Sequence, residues 1–425
     1  MENLVETIVE KIPGIEFVIA EIVGEELRRA GRFYELTCPF HGGKDSFRID
    51  PEKQRFQCYN GSCNEYGDVI DFVQKYCQLN FKEALCFLAN KYNINIDSQN
   101  FKKVLKISKE NKIKKKIYDL TTLFYQYQMT NTIEGKKAIK YLHSRGISNK
   151  SIKDFKIGYA PRGDKLIKFL RSKKIDGKNI SNKFLLEIGL SNKKYQDFFQ
   201  ERIMFSNPFY GRSIKVNEKY PHLYLSGENT GLFNYNNAKK YEKVILLESH
   251  INLLSARQAI EETLGFENQL GFISSYGTNG FKEKYIEKIK FSKIKQFIII
   301  YDGDKAGIER SIKIGYKLEN YNYDVRVVQM PLGLDVNDYL YKENNSAEDF
   351  LNLIKKAVSP AEFEIMYLIN KHKKNTITDR LETIKHIKPI FKKLQASDIE
   401  IEILAEFIAE KLKVSKERTL KSIFN

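Results

Sequence analysis

The sequence predicts a multidomain α/β protein: an N-terminal β ribbon with helices, a core containing a parallel α/β sheet, and a helical end. Three observations predict it. Cys38, His41, Cys58 and Cys63 fall in two close pairs joined by a short β-rich stretch. The apolar runs VILLE (244–248), LGFISS (270–275), FIIIYD (297–302) and VRVVQM (325–330) alternate with helical patterns, the signature of a parallel sheet flanked by helices. From Ala347 onward the pattern is helical throughout.

Composition bounds the rest. A chain of 425 residues, 42% of them hydrophobic, buries ample core and is expected to divide into several domains. The expected divisions are 1–96, a basic linker at 97–116, then 117–243, 244–346 and 347–425. No apolar run approaches the roughly 20 residues needed to cross a bilayer, and the opening MENLVETIVEKIPG carries early acids and no long apolar centre. A cytoplasmic protein away from membranes is the expectation. Five cysteines, an odd count, argue against a disulfide framework and leave thiols for metal. The formal charge of +17 and the pI near 9.3 favour polyanionic partners such as nucleic acid, although a solvated basic surface gives the same numbers.

Taken in order, residues 1–96 open on an amphipathic segment. CPFHGGKDSFRIDPEKQRFQCYNGSC follows, with Cys38 and His41 in a C-x2-H pair and Cys58 and Cys63 in a second pair. Four borderline ligands laid out this way suit a closed tetrahedral zinc site, structural because no coordination position remains for water. DVIDFVQKYC and NFKEALCFLANKY are helical, and their Cys77 and Cys86 read as small core residues. Between Phe101 and Tyr118 lie eight lysines against one glutamate, a charged linker or a solvated helix. Residues 117–243 begin helical (GKKAIKYLHSRG) and turn strand-like at ERIMFSNPFYGRSIKV.

The fourth region poses a chemical question at FIIIYDGDKAG. Asp302 and Asp304 stand one glycine apart at the end of an apolar strand. Like charges so close repel unless a cation lies between them, and a divalent metal with hard oxygen ligands answers that need. A lone Asp-Gly-Asp is also an ordinary turn. Gly303 and Gly307 let the backbone turn sharply there, and a helix opening near Ala306 would aim its positive end at phosphates.

RFYELTCPFHGGKDSFRIDPEKQRFQCYNGSCNEYGDVIDFV resembles the zinc-binding domain of bacterial DnaG-type DNA primases. AIKYLHSRGISNKSIKDFKIGYAP resembles the opening of their RNA-polymerase domain, ERIMF a later strand of it, and YGTNG and DGDKAG two motifs of its Toprim subdomain. The helical tail is similar to the end of that domain, so the likeness spans nearly the whole chain. It implies a fold with an N-terminal zinc ribbon, a polymerase core holding a Toprim-type parallel sheet, and a helical end. It also implies that Glu248, Asp302, Asp304, Asp335 and Asp338, each following an apolar strand, meet at the strands' carboxyl ends to hold two Mg2+ or Mn2+ ions. Glu248, Asp302, Asp304 and Asp335 are then the catalytic set, with Glu248 a general base or metal ligand. Gly277 and Thr278 match a turn near that site.

The implied activity is synthesis of short RNA primers on a single-stranded DNA template from nucleoside triphosphates. The implied contacts to nucleic acid or nucleotide are Arg145, Arg202 and Arg212 in the core and Lys44, Arg48, Lys53 and Arg55 on the ribbon. Relatives of this kind engage a replicative helicase through a domain that has no counterpart after the helical tail, so a divergent, phage or plasmid version is the expectation. The chain departs from the family pattern in several places. The second zinc pair is C-x4-C where C-x2-C is usual. Ser249 and Asn252 replace a glycine and an acid in ESHIN, and Asn337 stands where an acid is common. Phe198, Gln200 and His222 occupy positions where basic residues are expected. Loss of the acid at 252 would loosen one metal, with the asparagine carbonyl oxygen as a substitute ligand. Two other classes fit the same residues: a metal-dependent Toprim nuclease, and a single-stranded DNA-binding protein with impaired catalysis.

Overall fold

The computed structural model describes residues 1–425 apart from 1, 45, 62, 78, 95–97, 207–208, 216, 226–230, 266–268, 277–279, 291, 373–375, 394–397 and 425; the side chains of 2–4, 98–109, 284, 287–288, 392–393, 398 and 424 are likewise outside the description. It divides into two compact units, Met1–Asp119 and Leu120–Asn425.

The first unit starts with helices α1 (Glu2–Lys11) and α2 (Ile15–Val23). Strands β1 (Arg28–Ala30), β2 (Phe33–Leu36), β3 (Phe47–Asp50), β4 (Arg55–Cys58) and β5 (Tyr66–Gly67) then form an antiparallel sheet in sequence order. Alternation drives this sheet. Phe47, Ile49, Phe56 and Cys58 are buried while Arg48, Arg55 and Gln57 face outward, as a period of two requires. Helices α3 (Val69–Tyr76) and α4 (Phe81–Lys91) follow. Each opens on a capping box, Asp68 with Asp71 and Asn80 with Glu83, which satisfies backbone donors at both helix starts. The inner face of the sheet packs Phe40, Phe47, Phe56 and Phe72 ring against ring, with centroids 5.3 to 6.3 Å apart. Cys86 is buried and Cys77 packs against the same core.

Residues 98–116, expected as part of a basic linker, lie in one long helix, α5 (Ser98–Asn131). Without proline or glycine nothing in that stretch interrupts a helix. The second unit continues with α6 (Ile133–Ser144), α7 (Asn149–Asp154), β6 (Gly158–Ala160), α8 (Lys165–Arg171), the β7–β8 hairpin (Lys174–Ile175 and Lys178–Asn179) and α9 (Asn182–Glu187). Strands β9 (Arg202–Phe205), β10 (Tyr210–Ser213) and β11 (His222–Tyr224) join β6 in an antiparallel sheet of order β11-β10-β9-β6. Helix α8 lacks a side-chain cap from its own Asp164. Asp197, buried and 30 residues downstream of Ile167, supplies it, accepting from the Leu166 and Ile167 N–H groups at 2.9 and 3.0 Å.

After α10 (Tyr235–Ala238) the chain winds β12 (Lys243–Leu247), α11 (His250–Leu264), β13 (Leu270–Ser274), α12 (Glu283–Ile289), β14 (Gln296–Ile300), α13 (Lys305–Glu319) and β15 (Asp324–Val327). The four strands are all parallel in the order β13-β12-β14-β15. Val244, Ile245, Leu246 and Leu247 of β12 are all buried, the continuous apolar run of a strand covered on both faces. Because β13 and β14 lie on opposite sides of β12, the strand order reverses between β12 and β14. Ligand crevices of open α/β sheets form at the carboxyl ends of such a pair. Helices α14 (Val336–Tyr341), α15 (Ala347–Lys355), α16 (Pro360–Lys371), α17 (Ile377–Lys393), α18 (Asp398–Leu412) and α19 (Lys416–Phe424) complete the unit. The last four share their own apolar core around Ile365, Ile387, Ile408 and Ile423. Among the described residues no helix is long and apolar enough to cross a membrane.

Candidate functional site

Two tight backbone turns build the cysteine site. In the first, Gly42 N–H donates to the Cys38 carbonyl and Cys38 N–H to the Gly43 carbonyl, at 2.8 and 2.9 Å. The longer second pair closes through Asn60, whose carbonyl accepts from the Cys63 and Asn64 N–H groups and whose side chain also accepts from Cys63 N–H. That turn is how a C-x4-C spacing returns its second sulfur to the first. The ligand atoms of Cys38, His41, Cys58 and Cys63 all lie within 4.8 Å of one another. Cys38 Sγ is 3.9 Å from Cys63 Sγ, and Cys58 Sγ is 3.8 Å from His41 Nδ1. A tetrahedron with metal–sulfur bonds of about 2.3 Å has edges of about 3.8 Å, so the donor set fits Zn2+. Burial pushes the Cys38 thiol up to about 12, a cost that coordination of a thiolate removes.

The acidic site stands at the reversal between β12 and β14. Glu248 leaves β12, Asp302 and Asp304 follow β14, and Asp335 ends the loop after β15. Each strand-to-helix turn is closed by its own cap. Ser249 accepts from Asn252 N–H at the start of α11, Asp304 from Gly307 N–H (2.7 Å) at α13, and Asp335 from Asp338 N–H (2.6 Å) at α14. Gly303 and Gly307 are required by close approach. A Cβ at Gly303 would lie 2.0 Å from the Pro331 carbonyl oxygen, and one at Gly307 2.2 Å from that of Asp302. Gly303 N–H donates to Leu334 O (2.8 Å) and Gly333 N–H to Gly303 O (3.1 Å), which fastens the two acidic loops together.

The electrostatics report the convergence. Burial first, then the charges of Glu248, Asp335 and Asp304, push the Asp302 carboxyl up to about 8, against a lowering hydrogen bond from Asn252. Asp335 is also raised, chiefly by burial. A half-buried carboxyl surrounded by three others fits a divalent cation, the species that makes its ionised form favourable. Among the described residues only the cysteine and histidine cluster draws three or more ligand atoms within 4.8 Å of one another, so the acids ring a wider space than the zinc donors do.

Several expected roles are altered by the structure. Asn252 does not turn its carbonyl oxygen to the acids: Nδ2 donates to Asp302 Oδ1 at 3.0 Å, while Oδ1 accepts from Asn337 N–H at 3.3 Å. Arg202 is corrected from a phosphate contact to an interior group. It is 6% exposed, donates to Pro221 O at 3.0 Å and lies 3.9 Å from Glu218. Arg145 is ion-paired to Asp338 (3.3 Å) and Asp335 (3.8 Å), beside the acids. Arg212 is half-buried on β10. On the ribbon, Arg48 is exposed but paired with Glu35 at 2.8 Å, and Lys44, Lys53 and Arg55 are exposed. Gln200 accepts from Gly163 N–H, and His222 Nδ1 hydrogen-bonds the Tyr210 hydroxyl. Gly277 and Thr278 lie outside the described residues. Sequence reasoning missed the interior polar relay behind the acids, Ser255 with Asn337, and buried His250, which hydrogen-bonds Ser274 at 2.9 Å. The nearness of N-D-x-L to E-x-x-x-N in space has no signature along the chain.

Residues 2–104 match the family described as CHC2 zinc finger, 124–241 the DNA primase catalytic core, N-terminal domain, and 245–340 the Toprim-like family. A DNA primase of Clostridium acetobutylicum is 30% identical over 97% of this chain and 69% of its own length, and one of Staphylococcus epidermidis 30% over 88% and 67%. One of Listeria innocua is 29% identical over 95% and 66%. The chain thus spans about two thirds of the length of these curated relatives. Among solved structures, the zinc-binding and RNA polymerase domains of the Aquifex aeolicus primase share the fold with a TM-score of 0.53 at 24% identity, covering 98% of this chain and 99% of that one. The RNA polymerase domain of the Mycobacterium tuberculosis primase, in complex with double-stranded DNA, gives 0.58 at 18%, covering 70% and 97%. A DnaG primase catalytic domain bound to ssDNA gives 0.53 at 20%, covering 73% and 99%. With a zinc ribbon, a primase core and a Toprim-like sheet in this order, the chain belongs to the DNA primase family.

Proposed function

We infer that the protein is a nucleotidyltransferase that starts short RNA chains on single-stranded DNA from nucleoside triphosphates. The observation that carries the reading is the meeting of Glu248, Asp302, Asp304 and Asp335 at the reversal point of a parallel sheet, where burial and then the neighbouring carboxylates raise Asp302. Glu248, Asp302 and Asp304 hold the catalytic cations, with Asp335 and Asp338 as further ligands. Two Mg2+ or Mn2+ ions there supply neutralisation of charge on the transferring phosphate and its leaving pyrophosphate. Glu248, half-buried at the end of β12, serves in this reading as ligand or as acceptor of the proton from the attacking 3′ hydroxyl. The opening N–H groups of α13 add a positive helix end for phosphate, and Gly303 and Gly307 let backbone approach where a side chain would not fit.

Arg145 and Arg212 serve nucleotide or template phosphates, Arg145 after partial release from Asp338. Gly277 and Thr278 shape the pocket. On the ribbon, Zn2+ fixes the turns, and Lys44, Arg48, Lys53 and Arg55 contact the template backbone through charge. Exposed Tyr59, with the Arg48 guanidinium 5.6 Å from its ring centroid, adds a stacking surface for a base. The expected divisions at 96, 116, 243 and 346 mark the functional parts. The test incubates the protein with single-stranded DNA, labelled ribonucleotides and Mg2+ or Mn2+. New short RNA that disappears in Asp304→Ala supports the reading; shortened DNA instead identifies a nuclease, and binding without product a non-catalytic module.

A further inference from the structure

The two asparagines at 252 and 337 are in contact, and their contact has a direction. Asn252 is 1% exposed and Asn337 is 2% exposed, so neither amide has water to satisfy it. Asn337 Nδ2 donates to the Arg145 carbonyl at 2.7 Å and to Ser255 Oγ at 2.8 Å. Asn337 N–H then donates to Asn252 Oδ1, and Asn252 Nδ2 donates to Asp302 Oδ1. The relay therefore runs from the end of α6 and the body of α11, through the first turn of α14, to one carboxylate at the tip of β14. Each amide nitrogen of the relay donates to an acceptor, the condition under which a buried polar network rigidifies its surroundings. An aspartate at 252 could not play this part, because an ionised carboxylate accepts only, and would stand against Asp302 as a second acceptor.

We propose that Asn252, seated on Asn337, is a positioning residue that locks the orientation of Asp302 for a divalent cation. The two amides act as one unit. Asn337 anchors α14 and fixes Asn252, and Asn252 occupies Asp302 Oδ1 while Oδ2 takes no part in the relay. The inference rests on the reading of Asp302 as a metal ligand. Hydrogen-bonded partners of metal ligands set ligand orientation, and their loss costs roughly 10- to 100-fold in metal affinity.

The experiment measures Mn2+ binding to the full chain, without nucleotide or DNA, by the electron paramagnetic resonance signal of the free ion, alongside melting with and without Mn2+. Asn252→Ala is expected to weaken Mn2+ binding by about 10- to 100-fold. Asn252→Asp, nearly isosteric, removes the donor and sets a carboxylate against Asp302. It is expected to melt below wild type without metal and to gain more melting temperature from Mn2+ than wild type gains. Wild-type Mn2+ affinity in a folded Asn252→Ala, or identical metal-free melting and Mn2+ response in Asn252→Asp, overturns the positioning role. If Asn252→Ala does not fold, Asn252→Asp decides. Asp302→Asn separates this failure from that of the underlying reading: if it binds Mn2+ as wild type does, Asp302 is not a ligand, whatever Asn252 does.

Discussion

Replacing Gly303 with alanine probes how the acidic loops are held together. Its backbone is not in the left-handed region, so alanine is conformationally allowed; the obstacle is space. The new Cβ would lie 2.0 Å from the Pro331 carbonyl oxygen, against a usual carbon–oxygen approach of about 3.3 Å. The obstructing atom is backbone, so one loop must retreat by roughly 1 Å or more. That movement strains both hydrogen bonds fastening the loops, Gly303 N–H to Leu334 O and Gly333 N–H to Gly303 O. Each is worth about 0.5–1.5 kcal/mol net, partly offset by the reduced freedom of the unfolded alanine chain, about 0.4–1 kcal/mol. The expected destabilisation is about 1–2 kcal/mol. A displacement of about 1 Å among catalytic groups costs on the order of 100-fold in rate, so primer synthesis should fall far more than stability. The assay pairs urea unfolding with primer yield, using Gly61→Ala, whose Cβ meets nothing within 4 Å, as the control. Wild-type yield and midpoint in Gly303→Ala would refute the close-approach argument.

Three further outcomes are expected. One Zn2+ should be released per chain by a strong chelator, with loss of ordered structure around β2–β5, because structural zinc contributes folding free energy of about 10 kcal/mol or more in small sites; a Cys58→Ala protein that still retains stoichiometric zinc contradicts the ligand set. Arg202→Ala should destabilise the fold by about 1.5–3 kcal/mol through loss of the buried guanidinium's hydrogen bond to the Pro221 carbonyl, which keeps its bond from Ser213 N–H, while leaving the salt dependence of single-stranded DNA binding unchanged; a shallower salt slope with an unaltered midpoint returns Arg202 to the binding surface. For Asp197, burial raises the carboxyl from 3.8 to about 6. The folded state thus holds the proton more tightly than the unfolded chain, so the contribution to stability is complete below 3.8 and is lost as pH rises through about 6. Asp197→Asn should therefore gain on wild type by up to about 3 kcal/mol between pH 4 and pH 7, read from urea midpoints, and parallel pH curves would contradict the burial.

Legibility in the sequence followed the range of the interaction. VILLE and FIIIYD are visible as strands because burial on both faces leaves an unbroken apolar run. Cys38, His41, Cys58 and Cys63 are visible because metal geometry constrains spacing. Asp304 and Asp335 are visible as strand-end acids, though their second duty as helix caps needs the observed turns. Arg202 is expected at phosphate only because it matches a family arginine in ERIMF, whereas all four residues of β9 are buried. The cap of α8 by Asp197 and the pairing of Arg145 with Asp338 join residues far apart in the chain, which no local pattern encodes. The direction of Asn252 depends on Asn337 in the same way. Its sequence position suggested a weakened ligand, and only the neighbouring donor shows which end of the amide meets Asp302.

The central claim is that carboxylates carried by separate strands share a divalent cation. Anomalous diffraction at the manganese edge from crystals grown with Mn2+ measures this directly. The account predicts a peak about 2.1 Å from carboxylate oxygens of both Glu248 and Asp302, the distance small hard cations adopt. Manganese bound elsewhere, with no peak between these two side chains at saturating ion, would contradict it.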